Sequence, residues 1–315
     1  MGNRIYMLIF VLLIAAVLGW ASYEMIHSDD EEEEYHVAVI LRDSDSDRSV
    51  AFRQGLEQGA RDFNLKINII SEDVTRSQVK EQVEKGVDGV IIDPYVDNNL
   101  SDYLTDNQDN VKFVLMNTDL SPAELFPLVS AGDERIGNEL FLTVKEAYRN
   151  ISDLRIALVC LTGNNTGEYK RFAAFKEALQ TEGIEPTLEV LTTEDAGETL
   201  TGYLAIGGLD CVVAFDSKDT ELCIDALTLS NNVGNAELFG EGYSEKIIYY
   251  LDKGTVTEMV LPNEFNIGYF SARKMYQLLS PGSADEDIPE IETFRVTRNN
   301  MYEPEIENII FPIAQ

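Results

Sequence analysis

Between His36 and Gly242 the chain repeats one pattern, a short apolar run without polar alternation followed by a stretch with helical spacing. "HVAVIL" (36–41), "KINIIS" (66–71), "VDGVIID" (87–93) and "KFVLMN" (112–117) predict four strands, and "FPLVSAG" (126–132) a weaker fifth. Helices are predicted from Val50 to Phe63 and over 76–86, the second closed by Gly86. The rhythm then restarts. A helix over 134–150 leads into the strand "LRIALVCL" (154–161), a helix over 168–182 into "TLEVLTT" (187–193). "LDCVVAFD" (209–216) and "AELFGEG" (236–242) follow, with a helix over 219–230 between them. Strands apolar on both faces belong to parallel sheets covered by helices on both sides. Their occurrence in two series predicts an α/β chain of two doubly wound parallel-sheet lobes. In such sheets ligands bind beyond the carboxyl ends of the strands. The stretch "RDSDSDRSVAF" (42–52), directly after the first strand, is therefore expected at a ligand mouth.

Ahead of this region, Ile5 to Tyr23 carries no charge and follows Arg4. Nineteen helical residues span roughly 28 Å, about one hydrocarbon core, so residues 1–24 are expected to form a transmembrane signal or anchor helix. Gly19-Trp20-Ala21 leaves cleavage after Ala21 open, and an uncleaved anchor is the reading adopted. No cysteine follows the apolar run, which removes lipid attachment at that point. Residues 25–35 are an acidic spacer. Across the chain 56 acidic residues oppose 24 basic ones, a net charge of −32, which excludes nucleic acid as a natural partner.

Motifs for other chemistry fail on named positions. Asp43, Asp45 and Asp47 match the first, third and fifth ligands of a calcium loop. The sixth position must be glycine and is Arg48; the twelfth should be glutamate and is Gln54. The only histidines, His27 and His36, sit beside the anchor, so neither a zinc centre nor a histidine-dependent triad is expected. No GxGxxG, Walker lysine or GxSxG motif occurs. Three cysteines cannot close a disulfide framework, and Cys160 and Cys211 lie in strand-like runs as buried thiols. No metal, cofactor or catalytic residue is assigned.

The segment from Val37 to Leu100 resembles the N-terminal half of type I periplasmic binding proteins, the sugar-binding group related to lactose-repressor-like regulators. Gly55, Ala60, Gln82, "GVDGVIIDPYVD" (86–97) and "AGDERIG" (131–137) follow the family order. "RFAAF" (171–175), "LDCVVAFD" and "NEFNIGYFSARKM" (263–275) continue it, so the resemblance spans nearly all of Tyr35 to Gln315. It implies an N-lobe of 36–132 plus 262–290 and a C-lobe of 133–261 plus 291–315. Three crossovers, near 131–135, 258–264 and 288–294, would form the hinge.

Carried over by position, the resemblance implies ligand-binding roles for Ser46, Arg48, Ser49, Asp93, Asn117, Arg171 and Asp216. Arg48 and Arg171 would be placed to face an anionic group from opposite lobes. The family also implies aromatics near Arg48 and Ser49, an Asp near Gly242 and a Gln at Pro262, none of which is present. The function implied is an anchored extracytoplasmic protein, not an enzyme, that closes two lobes around a small polar, sugar-like ligand. Its partner would be an ABC permease for import, or alternatively a membrane sensor kinase. A hydrolase on the same scaffold is the remaining alternative, for which the sequence offers no acid–base pair.

Overall fold

The computed structural model describes residues 14, 34–41, 48–71, 74–94, 98–120, 125–161, 167–284 and 286–311. The expected anchor over 5–23 lies outside them apart from Ile14, as do most of the acidic spacer and the loop 42–47. Among the described residues no helix is long and apolar enough to cross a membrane.

The first series of apolar runs forms β1 (Tyr35–Leu41), β2 (Leu65–Ser71), β3 (Gly89–Ile92), β4 (Lys112–Met116) and β5 (Leu128–Val129). They build one all-parallel sheet in the order β2-β1-β3-β4-β5. Lack of polar alternation in β1 has a direct structural counterpart. Val37 and Val39 pack into one apolar core, and Ala38 and Ile40 into another on the opposite face. Helices α1 (Arg48–Asp62), α2 (Arg76–Glu84) and α3 (Asn98–Asn107) cover the faces. Thr75 caps α2 in a capping box with Gln78, satisfying donors that would otherwise be orphaned.

The second series, β6 (Ile156–Val159), β7 (Leu188–Val190), β8 (Cys211–Ala214) and β9 (Glu237–Glu241), pairs in parallel. Two further strands extend this sheet, β10 (Glu258–Pro262) and β11 (Thr293–Thr297). Its order is β11-β10-β9-β8-β6-β7, with β11 antiparallel at the edge. The second lobe is thus mixed where an all-parallel sheet was expected. Its helices are α4 (Asp133–Ala147), α5 (Gly167–Thr181), α6 (Ala196–Ala205), α7 (Ser217–Leu229) and α8 (Glu245–Lys253). The first-lobe helix α9 (Glu264–Leu279) follows β10, and α10 (Pro304–Ile310) closes the chain.

Three passages join the lobes: Val129 to Asp133, Pro262 to Glu264, and Leu279 to Thr293. They are tied to one another. The Arg135 guanidinium bonds the Ala131 carbonyl at 2.9 Å and also reaches Glu290 and the Ile291 carbonyl. The Asn263 N–H donates to the Glu292 carbonyl at 2.9 Å.

Helix α9 returns to the first lobe by packing on α1 at near backbone contact. A Cβ at Gly55 would lie 1.9 Å from the Phe265 carbonyl oxygen, and one at Gly268 would lie 2.2 Å from that of Phe52. The glycines of "GLEQGA" thus set how closely two helices approach. Gly55→Ala and Gly268→Ala are expected to destabilise the protein by about 1–3 kcal/mol each. Alanine's helix preference of about 1 kcal/mol acts in the opposite direction. Urea denaturation of each variant is the measurement, and unchanged midpoints would contradict the close approach.

Candidate functional site

At the carboxyl edge of the first sheet, Asp93 follows β3 and Asn117 follows β4. The Asp93 N–H donates to the Ile40 carbonyl at 3.1 Å, continuing the ladder one residue past the strand. Asn117 adopts φ of +56°, a left-handed conformation that Asn tolerates better than most residues. From there its side-chain amide donates to Asp93 Oδ2 at 3.3 Å. Ser130 Oγ donates to the Asn117 carbonyl at 3.2 Å, tying this corner to the first passage between lobes. Two of the expected site residues are therefore brought together, half-buried, at the mouth of one sheet.

Arg171 lies at the facing edge of the second lobe, within a buried ion pair. It is 4% exposed, and its Nε donates to Asp133 Oδ1 at 2.9 Å. Its Nη1 donates to the Phe215 carbonyl at 3.1 Å and to the fully buried Glu241 carboxylate. These bonds tie the first residue of α4 to the ends of β8 and β9. Gly137 and Gly167 make room for them. A Cβ at Gly137 would stand 2.2 Å from the Arg171 carbonyl oxygen, and one at Gly167 2.7 Å from Asp133 Oδ2.

Asp216 is the N-cap of α7, its Oδ1 accepting from the Asp219 N–H at 2.7 Å. Burial, opposed by that bond, raises its carboxyl above the usual range, and the Glu168 charge adds to the rise. Asp219 is wholly buried and accepts from the Leu161 N–H at 3.3 Å. Burial first, then the Asp216 charge, pushes it up to about 8. Helix α1 begins at Arg48, so Ser49 lies in its first turn and not at its cap. The side chains of Arg48 and Ser49 lie outside the described residues, as does Ser46.

A small pocket, open to solvent, lies where the lobes meet. Its wall combines Ala51 of α1, Glu241, Gly242 and Tyr243 after β9, Leu261 and Pro262 of β10, Glu264 of α9, and Ile309 of α10. Sequence reasoning missed Glu241, Glu264 and Ile309. Glu241 closes the run "ELFGE" directly before Gly242. Gly242 itself has φ of +110°, and a Cβ there would lie 2.4 Å from the Ser217 nitrogen. The Ser217 hydroxyl accepts from the Tyr243 N–H at 3.0 Å, fixing this turn against α7. Cys160, Cys211 and Cys223 are buried thiols, and burial raises Cys211 and Cys223 well above the ordinary range. No group of three His, Cys, Asp or Glu among the described residues is arranged to hold a metal ion.

The family model of the periplasmic binding protein domain matches residues 37–284. No curated protein sequence matches the chain. Among solved structures, a solute-binding protein of an ABC transporter from Agrobacterium vitis, bound with alpha-D-tagatopyranose, superposes with a TM-score of 0.78. It is 14% identical, over 90% of this chain and 100% of that one. A glucose-galactose binding protein from Geobacillus stearothermophilus reaches 0.75 at 16% identity, covering 86% and 99%. A periplasmic ribose ABC transporter protein from Conexibacter woesei also reaches 0.75, at 17% identity, covering 88% and 97%.

Two outcomes test this geometry. Arg171→Met leaves Asp133 and Glu241 buried without their cation and is expected to lose about 3–5 kcal/mol in urea denaturation. Full retention of stability would contradict the buried tie. The second concerns pH. A carboxyl held near 8 in the folded state, against about 3.9 unfolded, keeps a proton on folding that the unfolded chain has released. Its contribution to stability therefore falls as pH rises from about 4 to 8. Asp219→Asn keeps an acceptor for Leu161 and is expected to flatten that fall, read as melting temperature between pH 5 and 8. An unchanged slope would contradict it.

Proposed function

Because the chain belongs to the periplasmic binding protein family, a family of binding proteins and not of enzymes, we propose that it is an extracytoplasmic solute-binding protein. Its two lobes close around one small polar ligand, a sugar or related polyol. The observation that carries this reading is the pairing of hydrogen-bonding groups at two sheet edges. Asp93 and Asn117 stand at the mouth of the first sheet, and Asp216 at the mouth of the second. A ligand that touches both edges stabilises the closed arrangement by its differential contacts, and no bond needs to be made or broken. The tagatopyranose bound by one structural neighbour and the glucose-galactose binding of another favour the same ligand class.

Residues 5–23 would hold the protein at the membrane, and delivery to an ABC permease is the partner reading these neighbours favour. A ligand-sensing subunit of a sensor kinase is the second reading. It is favoured by the absence of a lipid-accepting cysteine after the apolar run.

Thermal denaturation against a panel of hexoses, pentoses and polyols tests the function. A cognate ligand at 100 times its Kd is expected to add about 2.7 kcal/mol to stability, and the ligand should be recovered unchanged. A panel without any melting rise, or one in which a sugar is consumed, would contradict it.

A further inference from the structure

The pocket between the lobes differs in chemistry from the strand ends beside it. Although Glu241 and Glu264 take part in its wall, the surface that the described residues expose to the pocket is almost wholly carbon. Ala51, Leu261, Pro262, Ile309 and the ring of Tyr243 account for that character. At the two positions where the resemblance implies hydroxyl-binding Asp and Gln side chains, Gly242 and Pro262 offer no polar side-chain atom. Pro262 also lacks a backbone N–H. The Tyr243 hydroxyl donates to the Ile310 carbonyl. That bond fixes the ring and holds α10 so that Ile309 faces the pocket. Contributions come from both lobes and from the passage through Pro262, so a group seated here touches both sides of the hinge.

A ligand hydroxyl placed against such a wall would give up water without a replacement hydrogen bond, whereas a methyl group gains burial. We propose that this pocket receives a methyl group of the ligand, so that the cleft selects 6-deoxy sugars over their hydroxymethyl parents. The proposal rests on the reading of the chain as a sugar-binding protein and names the class of sugar. Selection follows from the wall alone. The ring hydroxyls are left to the strand-end groups, and the missing 6-hydroxyl is the one this site does not solvate.

Paired titrations test it. D-fucose and D-galactose differ only at carbon 6, as do 6-deoxy-D-glucose and D-glucose, or L-rhamnose and L-mannose. Calorimetric titration of the full chain with all three pairs is expected to show at least one pair in which the deoxy sugar binds about 5- to 50-fold more tightly. Ile309→Asn and, independently, Ala51→Ser place a polar atom in the wall and are expected to shrink that ratio at least about threefold. Thermal melts identify variants that remain folded, and either folded variant suffices. If no pair shows the deoxy sugar bound more tightly than its parent, or only sugars outside these pairs bind, the inference falls while sugar binding stands. A preference that both substitutions leave unchanged puts the methyl group elsewhere and also overturns it. Absence of binding by any sugar, in this assay and in the wider melting panel, removes the sugar-binding reading and this inference with it.

Discussion

A guanidinium buried between two carboxylates organises the second lobe. Taking Arg171, Asp133 and Glu241 out of water costs several kcal/mol per ion, and only close pairing offsets it. Pairing is possible because α4 and α5 approach through Gly137 and Gly167, and because β9 ends with its carboxylate turned toward α5. The bonds from Arg171 reach the first residue of α4, the carbonyl after β8 and the end of β9. The mouth of the second sheet is thereby fixed to the first passage between lobes. Glu241 is shared between this tie and the pocket wall, so the position of the wall depends on the tie.

Rigid mouths on each lobe, with motion confined to the passages, are what a closing cleft requires. Helices α1 and α9 meet through glycines at near backbone contact, which leaves little freedom within the first lobe. The passages are held to one another by Arg135 and by the bond between Asn263 and Glu292. Those tie points involve few groups, several of them exposed, so they can yield while the two cores stay intact.

Much of this was legible because burial on both faces of a parallel strand leaves a continuous apolar run. Where a strand lacks that environment the sequence was silent. "TFRVT" (β11) lies antiparallel at an edge, with only Val296 fully buried, and its polar residues gave no apolar run. "EMVLP" (β10) passes at once into the Asn263 cap of α9 and read as a crossover. The site divided in the same way. Asp93 and Asn117 sit at the ends of readable strands, so their place at the sheet edge was legible. Arg171 was given a ligand role by the resemblance, while its ion pair went unread because its partners lie 38 and 70 residues away. Ile309 carried no signal, since only the fold brings the last helix to the cleft.

Hydrogen exchange on the full chain, with and without a sugar that raises its melting temperature, tests two-lobed capture most directly. Capture between the lobes predicts slowed exchange together at residues 117–120 of the first sheet edge and at 216–220 and 241–243 of the second. Protection confined to one edge, with the other unchanged at saturation, would contradict it.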